Sequence, residues 1–128
     1  MGTDGLRIAR GEAAKSKEEF MLGACVVKNG RVLGRGYNQL NKTNALVNKF
    51  FQFPTLHAEV AALARLDPDD VKGAIVYVYR IKRHCDPGLA RPCEKCAEVL
   101  AKFGVKRVIY STEEAPYFEV VSIQELRA

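Results

Sequence analysis

The ten residues "PTLHAEVAAL", Pro54–Leu63, place one of only two histidines two positions before a glutamate, at the head of an apolar run. The run predicts a helix over Leu56–Leu66, with Thr55 capping its free amides and "DPDD" ending it. A later stretch, "RPCEKC" (Arg91–Cys96), repeats the arrangement at the head of a second predicted helix, Cys93–Phe103, ended by Gly104 at a C′-like position. Two helix starts, each reached through a loop, therefore carry the chemically distinctive side chains: His57, Glu59, Cys93 and Cys96.

The segments around them supply a sheet. "MLGACVV" (Met21–Val27) reads as a strand, Asn29-Gly30 as a tight hairpin turn, and "RVLGRGYN" as the returning strand. "GAIVYVY" (Gly73–Tyr79) has few polar interruptions, which predicts burial on both faces. "VKRVIYS" (Val105–Ser111) is a further strand, and an extended piece over Tyr117–Val121 leads into a short helix with Ser122 and Glu125 as a capping box. A helix is also predicted over Ala13–Met21, and Gln39–Phe53 reads as a long loop with one helical turn. "RIKRHCDPGLAR" (Arg80–Arg91) reads as a basic loop. Helix-linked strands following a hairpin imply an α/β fold, a mixed sheet covered by helices, in one domain over residues 1–128.

Composition sets bounds on function. A hydrophobic fraction of 48% and a charged fraction of 27% suit a soluble globule. No signal peptide and no run of about 20 apolar residues is seen, so no membrane association and a cytoplasmic location are expected. The formal charge of +5 favours an anionic partner, a nucleotide or a nucleic acid, without naming one. Cys25, inside "LGACVV", reads as a small core residue, and without a secretory signal the four cysteines do not suggest a disulfide framework.

The chemistry follows from the ligand types. Cys93 and Cys96 are three apart, so both sulfurs face one side of their helix, and the helix start favours thiolate. One imidazole from His57 and two thiolates suit zinc, and three protein ligands leave a fourth position open, the stoichiometry of a catalytic site. Glu59 beside such an ion has the chemistry of a general base that takes a proton from an activated water and returns it to a ring nitrogen and then to a departing amine. That sequence of transfers is hydrolytic deamination of a cytosine-like or adenine-like ring. Two other readings compete: a redox Cys-x-x-Cys pair, and a structural zinc site completed by His84 or Cys85.

On "HAE" (His57–Glu59) and "PCEKC" (Pro92–Cys96) the chain resembles the zinc-dependent cytidine/deoxycytidylate deaminase superfamily, from about "GACVV" to "VKRVIYS". The resemblance implies a three-layer α/β/α sandwich around a mixed five-stranded sheet, Tyr117–Val121 being the fifth strand. It implies Zn2+ on His57, Cys93 and Cys96, with Glu59 as proton shuttle. It also implies a homo-oligomer, a substrate contact from Asn38, and a base contact from the Ala58 backbone amide. A small nucleoside or nucleotide is the expected substrate, with dCMP first. The form "GYN" and the run "PCEKCAEVLAKFGVKRVIYS" resemble the deoxycytidylate branch, although Ala61 stands where that branch has asparagine. "PTLHAE" is similar to the tRNA adenosine deaminases, so single-stranded nucleic acid is the alternative substrate. A non-catalytic zinc-stabilised binding module is the third reading. Phe50, Phe51 and Phe53 are candidates to wall a base pocket or stack on flanking bases, and Arg80, Lys82, Arg83 and Arg91 to bind a phosphate or track a single strand.

Overall fold

The computed structural model describes residues 4–40 and 55–128. Its first helix, α1 (Gly5–Ala13), starts where the Asp4 side chain accepts from the Arg7 N–H at 3.2 Å. The residues it buries, Gly5, Ala9, Glu12 and Ala13, recur at helical spacing and are mostly small, so the helix lies close against the sheet. A Cβ on Gly5 would sit 2.1 Å from the Tyr77 ring, and one on Gly23 would sit 2.2 Å from α1 backbone. The helix expected over Ala13–Met21 is thus displaced toward the N-terminus. After α1 the chain turns at Ser16, whose hydroxyl accepts from the Glu18 N–H, and this local bond competes with continued helix.

Strands β1 (Met21–Lys28) and β2 (Arg31–Tyr37) form the hairpin, with Asn29 at φ 52° and Gly30 at φ 77° in the turn. Two short strands, β3 (Gln39–Leu40) and β4 (Thr55–Leu56), pair antiparallel outside the main sheet. Helices α2 (Ala58–Leu63) and α3 (Pro68–Val71) follow, then β5 (Ile75–Ile81), a 3-10 turn at Arg83–Cys85 and β6 (Pro87–Gly88). The chain ends with α4 (Glu94–Lys102), β7 (Arg107–Ser111), β8 (Phe118–Ser122) and α5 (Ile123–Arg127).

The sheet runs in the order β2-β1-β5-β7-β8, with β6 joining β5 locally. Only β5 and β7 are parallel, so the sheet is mixed and five-stranded apart from that short addition. Alternation along β1 sorts the layers. Cys25 turns toward α1, donating its thiol to the Gly5 carbonyl at 3.3 Å, while Ala24 and Val26 join Val76, Val78, Leu63, Val99 and Leu100 in the core under α2 and α4. The fold is the expected α/β/α sandwich.

Some local expectations change. Thr55 belongs to strand β4 rather than capping a helix, and α2 begins at Ala58 with His57 at the N-cap. Leu56 pairs with Gln39, and this long-range ladder overrides the local helix signal. On β5, Val76 and Val78 are fully buried but Tyr77 and Tyr79 are only half-buried, so one face is sealed and the other partly covered. The Ser122–Glu125 capping box forms as expected, and Gly104 takes φ 73° past the end of α4. Most of the stretch expected as a long loop, Gln39–Phe53, with Phe50, Phe51 and Phe53, lies outside the described residues.

Candidate active site and metal centre

Two helix starts converge at one end of the sheet. His57 is the N-cap of α2; Cys93 is the N-cap of α4, and Cys96 lies in that helix's first turn. Helix α2 can rest directly on β2 because Gly34 and Gly36 lack side chains: a Cβ on Gly34 would sit 2.3 Å from the Ala62 carbonyl oxygen. The segment leading into α4 is anchored by Arg91, which donates to the Tyr110 hydroxyl at 3.0 Å and to the Leu126 carbonyl at 3.3 Å. Tyr110 in turn donates to Glu119 at 2.5 Å, which links β7, β8 and α5 to the same segment.

This scaffold brings His57 Nδ1 to 3.3 Å from Cys96 Sγ and 3.8 Å from Cys93 Sγ. The three ligand atoms lie within 4.8 Å of one another. Neighbouring ligands on a tetrahedral zinc ion are about 3.6–3.8 Å apart, from the usual Zn–N and Zn–S lengths. Spacing and donor types therefore fit such an ion. Neither His84 nor Cys85, the candidates for a fourth ligand, joins the cluster.

The charge state prepares the ligands. Cys93 is pulled down to about 4, first by the Cys96 thiol that donates to it and then, against burial, by the imidazole of His57 and the Cys96 N–H. Cys96 is pushed up, because its proton is committed to Cys93 and the sulfur is buried. His57 is raised by its hydrogen bond to Cys93, which outweighs burial. Without an ion the trio favours thiolate on Cys93 and imidazolium on His57. Glu59, only 6% exposed, is raised chiefly by burial, while its own backbone N–H and His57 pull the other way.

A cavity of about 460 Å³ opens onto this cluster, lined by His57, Glu59 and Cys93. Asn38 and Ala58 line it too. The Asn38 side chain holds backbone, accepting from the Leu22 N–H at 3.0 Å and donating to the Phe20 carbonyl at 2.5 Å. Ala58, the first residue of α2, has an amide with no intrahelical partner. Phe20, Leu22, Leu89 and Ala90 also form the wall and were not anticipated. No local motif marks them; they arrive through sheet register and loop folding. The basic stretch divides: Arg80 and Arg91 line the cavity, whereas Lys82 pairs with Glu113 at 2.7 Å and Arg83 is exposed.

Residues 3–112 match the family described as the cytidine and deoxycytidylate deaminase zinc-binding region. A deoxycytidylate deaminase of Mycobacterium phage D29 is 32% identical over 127 residues, spanning 84% of this chain and 91% of that protein. A tRNA-specific adenosine deaminase of Aquifex aeolicus is 27% identical over 124 residues, spanning 92% of this chain and 70% of that protein. Among solved structures, the dCMP deaminase of cyanophage S-TIM5 in complex with dCMP and dUMP superposes with a TM-score of 0.62 at 26% identity, over 85% of this chain and 79% of that one. With a His/Cys/Cys cluster at the mouth of a cavity in this fold, the chain belongs to the zinc-binding cytidine and deoxycytidylate deaminase family and is a zinc-dependent deaminase of that superfamily.

Proposed function

We propose that the chain deaminates the cytosine ring of a small nucleoside or nucleotide, with dCMP the leading substrate. The observation that carries this is the meeting of Glu59 and the His57–Cys93–Cys96 trio in one cavity of small-molecule size. His57, Cys93 and Cys96 would hold zinc, which as a Lewis acid lets water give up a proton near neutral pH. Glu59 takes that proton as oxygen adds to the ring carbon. It passes the proton to the adjacent ring nitrogen, then carries a second proton to the exocyclic nitrogen, which departs as ammonia. Cytosine and water thus become uracil and ammonia. Burial of Glu59 keeps the carboxyl basic enough to accept and return the proton. Ala58 can hold the ring carbonyl through its backbone N–H, and Asn38, in the same wall, can turn toward the sugar only by releasing its own backbone bonds.

Electrostatics favour a small substrate over a nucleic-acid strand. Glu18 and Glu19 line the cavity, and beyond Leu89 a second groove carries Glu113, Glu114 and Glu119. A phosphodiester backbone leaving the cavity along that groove meets three carboxylates, with Lys82 as the cation paired to one of them, where strand binding calls for a run of cations. The free state of Cys25, Cys85, Cys93 and Cys96 accords with a reducing, cytoplasmic setting. Among the described residues no helix is long and apolar enough to cross a membrane. A homo-oligomer is part of this reading: exposed Phe118 and Val120 on edge strand β8 are side chains a second copy could cover, and light scattering would check it.

The decisive assay is ammonia release by zinc-loaded protein from dCMP, deoxycytidine, cytidine, a cytosine-bearing DNA strand and an adenosine-bearing tRNA stem-loop. Turnover of the first compounds is expected. Turnover of strands alone would transfer the chain to nucleic-acid editing, and no ammonia from any of them, with zinc bound, would make it a binding module.

A further inference from the structure

Arg80 is the least accounted-for cation in the site. It shares the β5 face of Val76 and Val78, and so reaches toward the layer of α2 and α4 and into the cavity wall. Its Nε is buried and has no hydrogen-bond partner. The ion pairs Lys15–Glu12 and Lys82–Glu113 do not involve it, although its charge is felt at Glu113. A buried guanidinium donor without an acceptor is unfavourable, yet three features hold it there. Its guanidinium carbon lies 4.7 Å from the centre of the Phe20 ring. Ser111, fully buried, accepts from the Arg80 N–H at 3.0 Å and donates to the Gly88 carbonyl at 2.6 Å, tying β6 to the strand beside Arg80. Gly88 pairs with Arg80 across β5 and β6, and a Cβ there would stand 2.8 Å from Lys82 Cγ and 2.9 Å from Arg80 Cδ, so the glycine leaves room for both stems.

The other charges in the wall narrow where an anion could be received. Glu19 lines the cavity and opposes an entering anion. Arg91 lines it as well, but both terminal nitrogens of its guanidinium are engaged, with Tyr110 and Leu126. Among the described residues of the wall, Arg80 is the cation with a buried nitrogen that no acceptor meets.

We propose that Arg80 is a specificity-determining residue that receives the phosphate monoester of a small nucleotide and so selects it over the neutral nucleoside. The assignment rests on the reading of this cavity as a cytosine deaminase site. The long connection before Pro92, whose fold-back forms β6, then serves to frame Arg80.

The test compares kcat and KM of zinc-loaded wild type, Arg80→Ala, Arg80→Lys and Gly88→Ala on dCMP and deoxycytidine. Wild type should favour dCMP by at least about 30-fold in kcat/KM, the scale of a charge-assisted contact. Arg80→Ala should erase that ratio chiefly through KM for dCMP, and Arg80→Lys should retain part of it. Gly88→Ala, which crowds the stem and leaves the charge, should lower the ratio about tenfold, and it carries the test if Arg80→Ala does not fold. Equal losses on both substrates, no loss on either, or a wild type indifferent to the phosphate would overturn the assignment and leave the deaminase reading intact. A wild type that turns over neither compound removes that reading, and the assignment with it.

Discussion

Replacing Gly36 with alanine should lift α2 off the sheet and misplace His57 and Glu59 together. The new Cβ would lie 2.5 Å from Ala61 Cβ and 2.7 Å from both the Ala61 carbonyl carbon and the Ala62 nitrogen, where ordinary contact begins at 3.4 Å. Two of these neighbours are helix backbone, so no side chain can swing aside, and α2 must retreat by roughly 0.7–0.9 Å, the shortfall from that contact limit. Overpacking of this kind costs about 1–3 kcal/mol. Displacing a catalytic carboxylate by about 1 Å costs on the order of 100-fold in turnover. The assays are the urea midpoint and Tm of zinc-loaded protein, where a fall of roughly 3–10 °C is expected, with kcat on the best substrate. Gly11→Ala is the matched control, since an added Cβ there meets nothing within 4 Å in an exposed turn of α1, and a gain of about 0.5–1 kcal/mol is expected. A Gly36→Ala protein with wild-type midpoint and wild-type kcat would refute the claim that this contact sets the position of α2.

Further outcomes follow from the site's charges. Glu59→Gln should keep zinc while losing about 10²–10⁴-fold in turnover, read by metal analysis beside ammonia release. Because burial raises Glu59 above 4.5, its neutral form is the one the fold favours; the ion-free wild type should lose stability as pH rises past that value, and urea titrations across pH should show Glu59→Gln escaping the loss. Zinc uptake should release protons near neutral pH, from raised His57 and raised Cys96 rather than from Cys93, and affinity should climb with pH; calorimetry in buffers of different ionisation enthalpy measures this. In ion-free protein, Cys93 should alkylate readily and zinc should protect it, while Cys25, buried and pushed up to about 12, should stay unmodified until the chain unfolds; mass spectrometry of labelled peptides decides.

What was legible in the sequence is what local chemistry controls. Asn29-Gly30 specifies its turn through two left-handed residues, and Ser122 with Glu125 specifies a helix start through two reciprocal bonds. The grouping of His57, Cys93 and Cys96 was legible because ligand type and a three-residue spacing carry their meaning in any fold. Helix α1 was misplaced because its buried face is Gly5, Ala9, Glu12 and Ala13, which shows no hydrophobic stripe, while the following stretch has helix-forming residues that a turn at Ser16 interrupts. The start of α2 was missed because Leu56 is claimed by pairing with Gln39. The cavity wall was the least legible part: Phe20, Leu89 and the Arg80–Gly88–Ser111 arrangement exist only once β5, β6 and β7 are in register.

The donors of the cluster come from distant parts of the chain: His57 and Cys93 are 36 residues apart, and β5 lies between them in sequence. A nascent chain that has completed the hairpin and α2 owns only one of the three donors. Tight capture of an ion by this cluster would therefore wait until α4 has started and docked beside α2. If the cluster holds zinc as proposed, metal loading would come late in maturation, and a chain halted earlier would lack both the grip on the ion and the chemistry it supplies.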